Sequence, residues 1–158
     1  MFTRKRNRLD ASNYSGALRI SLTLCTKDKT PILIKDSVFE MVVKYLKEVA
    51  DRNGQIIWAY CFMPDHLHLL IESKEKGRPI RFVNLFKQKT GYHYKQATGA
   101  SLWQKSYFDH ILRREEDLKS FIRYIFNNPV RKGLVEKFNS YRYLGSFVGV
   151  DVMKLVEP

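Results

Sequence analysis

Residues 60–72, YCFMPDHLHLLIE, are the stretch that decides the fold. Apolar residues lead into a Met-Pro-Asp step, and a His-Leu-His run then opens a second apolar segment. Side chains alternate between the two faces of a β-strand, so His66, His68 and Glu72 share one face. The opposite, buried face is formed by Leu67, Leu69 and Ile71. Two imidazoles side by side on one strand provide half of a metal site.

The same patterns predict the other elements of the chain. Strands are expected at 17–25, 55–62 and 66–73, with a fourth at the end of 103–112. Helices are expected at about 38–52, 80–97 and 115–127, and Pro129 and Gly133 should end the last one. The order β-α-β-β-α-β-α predicts an α+β, ferredoxin-like (split βαβ) antiparallel sheet with helices packed on one face and an extra C-terminal helix. We expect one domain over 1–158, with a basic N-terminal arm at 1–16 and a C-terminal tail at 137–158.

The charge balance indicates a polyanionic partner. The 158 residues include 28 Lys and Arg against 16 Asp and Glu, a formal net charge of +12. An excess of this size favours nucleic acid, because each neutralised phosphate releases counterions. Cys25 and Cys61 form no C-x-x-C pattern, and the longest apolar run, at 56–63, is too short to span a bilayer. We therefore expect a cytoplasmic protein, in the cytosol or nucleoid, with no membrane partner.

The last predicted helix carries an unusually placed tyrosine. At roughly 100° per residue, Tyr124 lies roughly 130° from the centre of the apolar stripe. That stripe consists of Leu118, Phe121, Ile122, Ile125 and Phe126. Tyr124 falls on the polar side with Asp117, Ser120 and Asn128, and Asn128 would lie one turn further on if the helix continued. This placement suits either a displayed reactive group or an ordinary surface tyrosine.

Four segments resemble a known family. The run MPDHLHLL at 63–70 resembles the HUH motif of single-tyrosine transposases, in which two histidines flank a hydrophobic residue. WQKSYFDH at 103–110, REED at 114–117 and YIFNNPVRKGLV at 124–135 extend the match. Together they resemble the REP-associated tyrosine transposases, a branch of the IS200-like family whose members act on short extragenic palindromes. The resemblance covers about residues 14–136.

This resemblance implies roles for particular residues. His66 and His68 match the metal-binding pair, and Tyr124 matches the nucleophile that forms a 5′-phosphotyrosine on single-stranded or hairpin DNA. Asn128 stands where related transposases carry a polar metal-assisting residue, often Gln. Two imidazoles suit Mn²⁺ or Zn²⁺ better than Mg²⁺, although phosphate and water ligands would also allow Mg²⁺. Monomer and homodimer both remain open, and in a dimer Tyr124 could serve the metal pair of the other subunit.

Further side chains are candidates for DNA contact. The basic candidates are Arg4, Lys5, Arg6, Arg8, Arg81, Lys87, Lys89, Arg113, Arg114, Arg131 and Lys132. Each of them could equally be a solvated surface charge. Trp103, Tyr107 and Phe108 could stack on unpaired bases, with at least one of the three expected in the core.

Two other functions fit the sequence less well. A non-catalytic nucleic-acid-binding module of RNA-recognition-like fold would bind through exposed aromatics on its central strands. The third strand carries His66 and His68 instead, which favours catalysis. A hydrolytic metalloenzyme would need more ligands than the Leu-Leu-Ile-Glu that follows the second histidine.

Overall fold

The structure, a computed structural model, describes residues 18–113, 117–148 and 151–156. The predicted basic arm at 1–16 lies outside these residues. The strands are β1 (Leu18–Cys25), β2 (Gln55–Phe62), β3 (His66–Ser73), β4 (Phe108–Ile111) and β5 (Leu144–Gly145). The helices are α1 (Asp36–Arg52), α2 (Pro79–Thr98), α3 (Leu118–Phe126), α4 (Asn128–Arg131) and α5 (Val152–Val156).

The five strands form one antiparallel sheet in the order β4-β1-β3-β2-β5. The first four occupy the positions of a ferredoxin-like sheet, so the predicted α+β fold is confirmed. β5 was not predicted; its two residues pair with Tyr60 and Cys61 at the β2 edge. A Cβ atom at Gly145 would lie 2.5 Å from the Tyr60 hydroxyl oxygen, so any larger residue there would force the Tyr60 side chain to move.

Each face of the sheet is buried against different helices. On the first face, Leu67, Leu69 and Ile71 of β3 pack with Ile20, Leu22 and Leu24 of β1 in the core shared with α1 and α2. On the second face, Ala59, Cys61 and Leu70 pack with Ile122, Ile125 and Phe126 of α3. The alternation predicted for β3 is therefore observed, and His66 and His68 lie on the face that α3 covers.

A β-bulge in β2 makes the second core possible. The register with β3 shifts between Ile57 and Ala59, which leaves Trp58 as an extra residue. Ile57 belongs to the first core, whereas Ala59 and Cys61 belong to the second. In a regular strand without a bulge, residues 57, 59 and 61 would point to the same face. The bulge therefore supplies small side chains beneath α3.

The helix α3 is interrupted at Asn127, and α4 begins directly after it. Asp117 caps the helix, because its side chain accepts a hydrogen bond from the Lys119 N–H at 3.1 Å. Pro129 does not simply end the helical region as predicted; it lies in the first turn of α4, where a missing N–H costs nothing. Asn128, expected on the polar side of a continuous helix, is buried at this corner instead.

Candidate active site

The two histidines of β3 point their Nε2 atoms at each other. The Nε2 atoms of His66 and His68 are 3.1 Å apart, and the rings meet nearly edge to face. His66 Nδ1 lies 2.7 Å from Asp65 Oδ1, and His68 Nδ1 lies 3.1 Å from Thr23 Oγ1. Thr23 is the β1 residue directly opposite His68 in the sheet. Each ring therefore has a polar partner at Nδ1, and its Nε2 lies within hydrogen-bond distance of the Nε2 of the other ring.

This arrangement fits a pair of metal ligands. Two nitrogens that each lie about 2.1 Å from one ion, at a right angle, are about 3.0 Å apart. Partners at Nδ1 are the usual means of fixing a ligating histidine in the tautomer whose Nε2 carries the lone pair. Burial, His66 and Arg131 lower the pKa of His68 to about 4, so its imidazole is neutral at pH 7, as a ligand must be.

A metal ion bound by the two histidines would need additional ligands that are not His, Cys, Asp or Glu side chains. The described residues contain no cluster of three or more His, Cys, Asp or Glu side chains able to hold a metal ion. An ion held by His66 and His68 would thus have to take its remaining ligands from an amide such as Asn128, from water or from a substrate oxygen. A site of this kind is open and weak, and it suits Mn²⁺ or Mg²⁺ with a bound phosphate.

The histidines lie in a cleft of about 500 Å³ with basic side chains at its rim. Lys29 contributes from the β1–α1 connection and Lys132 from the end of α4. Asp28 and Lys29 both have left-handed backbone conformations, with φ of 55° and 53°. The Thr26 hydroxyl holds this turn by donating to the Thr30 carbonyl at 2.8 Å. Such strain persists only where surrounding contacts enforce it, and here it brings a cation to the cleft.

Tyr124 lies on α3 and is 58% exposed, as its position on the helical wheel predicts. The Arg131 guanidinium carbon lies 4.1 Å from the centre of the Tyr124 ring. Arg131 Nη1 donates to the Tyr124 carbonyl oxygen at 3.0 Å, and Nη2 donates to Asn128 Oδ1 at 2.9 Å. Asn128 Nδ2 is buried and has no hydrogen-bond partner among the described residues.

Arg131 also connects the tyrosine with the histidine pair. Its positive charge contributes to the lowered pKa of His68 and opposes the rise that burial causes in the pKa of Cys61. Both residues lie on the sheet face beneath α3. The helix α3, which carries Tyr124, thus packs on the sheet face that carries His66 and His68, whereas the cleft around the histidines is lined by Lys29 and Lys132 and not by Tyr124.

The basic candidates are spread over several surfaces. Lys132 lines the histidine cleft, whereas Arg81 and Lys89 line a separate groove of about 940 Å³ between α1 and α2. Lys89 forms an ion pair with Glu48 at 2.7 Å. Lys87 has a structural contact: its ammonium donates to the carbonyl oxygens of Gln104 and Lys105. Arg113 lies two residues after the end of β4. The other basic candidates lie outside the described residues: Arg4, Lys5, Arg6, Arg8 and Arg114.

Trp103 is a packing residue in this structure. The side chain is 8% exposed, and its indole N–H donates to Thr90 Oγ1 at 2.9 Å. Tyr107 is also buried, whereas Phe108 on the edge strand β4 is 49% exposed. The suggestion that Trp103 stacks on unpaired bases is therefore corrected, because the indole is enclosed in the core of α1, α2 and the sheet.

Sequence reasoning missed several side chains of the site. Thr23 gave no local signal, since its contact with His68 depends on the pairing of β1 with β3. The sequence indicates Asp65 only as part of the Met-Pro-Asp step, although a carboxylate directly before a ligand histidine is a recognisable partner for its ring. Lys29 was missed because nothing in the sequence marks a left-handed conformation at a lysine.

Fold and site together define an α+β protein with a histidine pair on its central strand and an exposed tyrosine on a covering helix. The chain belongs to the IS200-like transposase family, because the family model described as "Transposase IS200 like" matches residues 15–128. The family inferred from the sequence motifs is thereby confirmed.

Two named relatives are similar to the chain in sequence. A Haemophilus influenzae protein named as a REP-associated tyrosine transposase is 28% identical over 133 residues, which covers 77% of this chain and 75% of the relative. The REP-associated tyrosine transposase of Escherichia coli K12 is 26% identical over 101 residues, which covers 62% of this chain and 58% of the relative.

Two solved structures share the fold. A REP-associated tyrosine transposase bound to a REP hairpin superposes with a TM-score of 0.70 at 19% identity, over 90% of this chain and 82% of the other. A Deinococcus radiodurans R1 protein described as a transposase gives a TM-score of 0.53 at 24% identity, over 77% of this chain and 97% of the other. Within residues 18–113, 117–148 and 151–156, no helix combines the length and apolar character needed to cross a membrane.

Proposed function

We propose that this protein is a metal-dependent DNA strand transferase that cuts and rejoins single-stranded or hairpin DNA through a tyrosine. The observation that carries this proposal is the convergence of His66 Nε2 and His68 Nε2 at 3.1 Å, each ring held by a partner at Nδ1. The exposed Tyr124 on the same sheet face supplies a nucleophile. Family membership supports DNA as the substrate, and the hairpin in the related complex supports a palindromic target.

The chemistry follows from the properties of a phenol. The Tyr124 oxygen attacks the scissile phosphorus, loses its proton and forms the new P–O bond of a 5′-phosphotyrosine. The P–O3′ bond breaks, and the departing oxygen gains a proton to become a 3′-hydroxyl. A phenolate is a much better leaving group than an alkoxide, so a 3′-hydroxyl can later attack the phosphotyrosine and rejoin the strands without new energy input.

The surrounding residues provide binding and electrostatic support. A divalent ion held by His66 and His68 would stabilise negative charge on the non-bridging phosphate oxygens. The Oδ1 atom of Asn128, the atom through which an amide binds a metal ion, accepts a hydrogen bond from Arg131 in this structure. Lys29 and Lys132 at the cleft rim provide positive charge for the flanking phosphates. The net charge of +12 favours association with a polyanion such as DNA. Such a protein would work on chromosomal DNA in the bacterial cytoplasm.

The alternative of a non-catalytic RNA-recognition-like module is disfavoured by the packing. A module of that kind binds on an open sheet face with exposed aromatics on its central strands. Here α1 and α2 cover one face, and α3 packs on β2 and β3 across the other. Among the described residues, the exposed aromatic side chain that lies on a strand is Phe108, and it is on the edge strand β4 instead of a central strand.

An adduct assay tests the proposal. Wild-type protein is incubated with end-labelled hairpin DNA derived from palindromes of its own genome, with Mn²⁺, Mg²⁺ or EDTA. We expect an SDS-resistant protein–DNA adduct that requires the metal and that disappears in Tyr124→Phe. Absence of any adduct with wild type, or an adduct that survives in Tyr124→Phe, would contradict the tyrosine mechanism.

Matched controls separate chemistry from folding. Tyr92→Phe removes the hydroxyl of another exposed helical tyrosine, which is 60% exposed on α2, and should form the adduct normally. His66→Ala should retain DNA binding but lose cleavage. His93→Ala, which alters a histidine stacked on Tyr45 in the α1–α2 groove, should retain both.

A further inference from the structure

Arg131 makes three contacts that converge on the two predicted functional residues of the C-terminal helical region. Its guanidinium lies over the Tyr124 ring, 4.1 Å from the ring centre. One terminal nitrogen donates to the Tyr124 carbonyl oxygen at 3.0 Å, and the other donates to Asn128 Oδ1 at 2.9 Å. A single side chain therefore restrains the ring of Tyr124, the backbone beneath it and the amide of Asn128.

The break between α3 and α4 creates this geometry. On one continuous helix, residues 124 and 131 would be about 10.5 Å apart along the axis. The chain instead turns at Asn127 and restarts as α4 with Pro129 in its first turn. At this break Asn128 is buried, and the Arg131 side chain reaches both the Tyr124 carbonyl oxygen and Asn128 Oδ1.

The contacts require a guanidinium. Its planar fork presents donors in two directions while its face remains available to an aromatic ring. A lysine ammonium carries the same charge, but as a point charge it cannot stack flat on the ring and bridge the two oxygen acceptors in the same way. The orientation of the Asn128 amide also depends on Arg131, since Oδ1 faces the donor and leaves Nδ2 in the buried position.

We propose that Arg131 is a positioning residue that fixes the Tyr124 nucleophile and the Asn128 amide in place. This inference rests on the proposed function, and it differs from the role of a phosphate contact suggested by the sequence. A phosphate contact contributes mainly to DNA affinity, whereas a positioning residue contributes to the rate once DNA is bound. Arg131 acts on the reaction through Tyr124 and Asn128.

Single-turnover kinetics distinguish these roles. Adduct formation is followed over a range of protein concentrations, which gives the apparent DNA Kd and the maximal rate separately. We expect Arg131→Ala to lower the maximal rate by about 10- to 100-fold, because misplacing a reacting group by about 1 Å costs rates of this order. The apparent Kd should change by less than about threefold, since the protein keeps its other cations.

Two further variants sharpen the result. Arg131→Lys keeps the charge but not the fork, so we expect the DNA affinity of wild type and a maximal rate still about tenfold lower. Arg142→Ala is the matched control, because Arg142 also lies over a tyrosine ring, that of Tyr143 at 5.7 Å, and pairs with Asp36 at 3.1 Å. It should match wild type in both parameters.

A spectrum of the DNA-free protein tests the positioning without any cleavage. Tyrosine rings labelled with ¹³C are observed by NMR, and Tyr124→Phe identifies the Tyr124 signal. We expect Arg131→Ala and, to a smaller extent, Arg131→Lys to shift that signal, whereas Arg142→Ala leaves it in place. This measurement remains decisive if wild type forms no adduct, a result that would contradict the proposed function but not the contacts of Arg131 with Tyr124 and Asn128.

Three outcomes would overturn the inference. A weaker apparent Kd with an unchanged maximal rate in Arg131→Ala would make Arg131 a phosphate contact. A wild-type maximal rate in Arg131→Lys would show that charge alone suffices. An unshifted Tyr124 signal in Arg131→Ala would show that the guanidinium does not restrain the ring in solution.

Discussion

Asp65→Ala should weaken metal binding even though Asp65 faces away from the point where the Nε2 atoms converge. The carboxylate accepts from His66 Nδ1 at 2.7 Å, which fixes the tautomer whose Nε2 is free to bind a cation. Loss of such an outer partner typically lowers metal affinity by about 10- to 100-fold, or about 1.4–2.7 kcal/mol. The Asp65 side chain is 37% exposed, so solvent screens part of its charge. We therefore expect Asp65→Ala to raise the Kd for Mn²⁺ by about 30-fold, as measured by isothermal titration calorimetry.

The partner of the second histidine gives a graded comparison. Thr23→Val removes a neutral hydroxyl 3.1 Å from His68 Nδ1 at nearly constant volume, and it should lower the affinity for Mn²⁺ by about tenfold or less. Asp65→Asn keeps an oxygen acceptor without the charge, so its affinity should lie between wild type and Asp65→Ala. Asp151→Ala removes an exposed carboxylate on the C-terminal segment and should have no effect. A Mn²⁺ Kd for Asp65→Ala within about twofold of wild type would refute the assignment of Asp65 as the partner that prepares His66.

Three further predictions concern the two cores on either side of the sheet. Burial raises the pKa of Cys61 to about 12, so its thiolate is scarce at pH 8. In the Cys25→Ser variant, which keeps Cys61 as its one cysteine, iodoacetamide should label the native protein at least about 1000-fold more slowly than the protein in urea, and rapid native labelling would contradict this. Trp103→Phe should lower the free energy of unfolding by about 1 kcal/mol through the lost bond to Thr90, with unchanged hairpin affinity in a fluorescence binding assay, and weaker binding would restore a stacking role. Phe126→Ala should cost about 3–5 kcal/mol in urea unfolding, because the ring is fully buried beneath α3, and a loss below about 1 kcal/mol would show that α3 is not held by this core.

The sheet could be predicted where the sequence pattern is local. β2 and β3 have the predicted bounds because apolar alternation on both sides of the Met-Pro-Asp turn determines where each strand begins and ends. β5 was missed because two residues carry no periodic signal, and its pairing with Tyr60 and Cys61 depends on residues more than 80 positions apart. The bulge at Trp58 was missed for a related reason, since only the pairing with β3 reveals the extra residue.

For the candidate site, too, the features that follow from local geometry could be predicted, and those that depend on long-range pairing could not. The shared face of His66 and His68 follows from strand geometry, and the exposure of Tyr124 follows from helical geometry. The contact of Thr23 with His68 spans 45 positions and depends on strand register, so no local pattern contains it. The helical wheel predicts Asn128 on the polar side, one turn beyond Tyr124 if the helix continues, whereas Asn128 is buried at the break between α3 and α4 and bonded to Arg131.

Identification of the residue that becomes covalently attached to DNA tests the central claim most directly. Wild-type protein that has reacted with hairpin DNA and Mn²⁺ is digested with nuclease and trypsin, and the modified peptide is sequenced by mass spectrometry. The mechanism proposed above predicts a single 5′-phosphotyrosine at Tyr124, formed only in the presence of the metal. Attachment at any other residue, or equal attachment in EDTA, would contradict it.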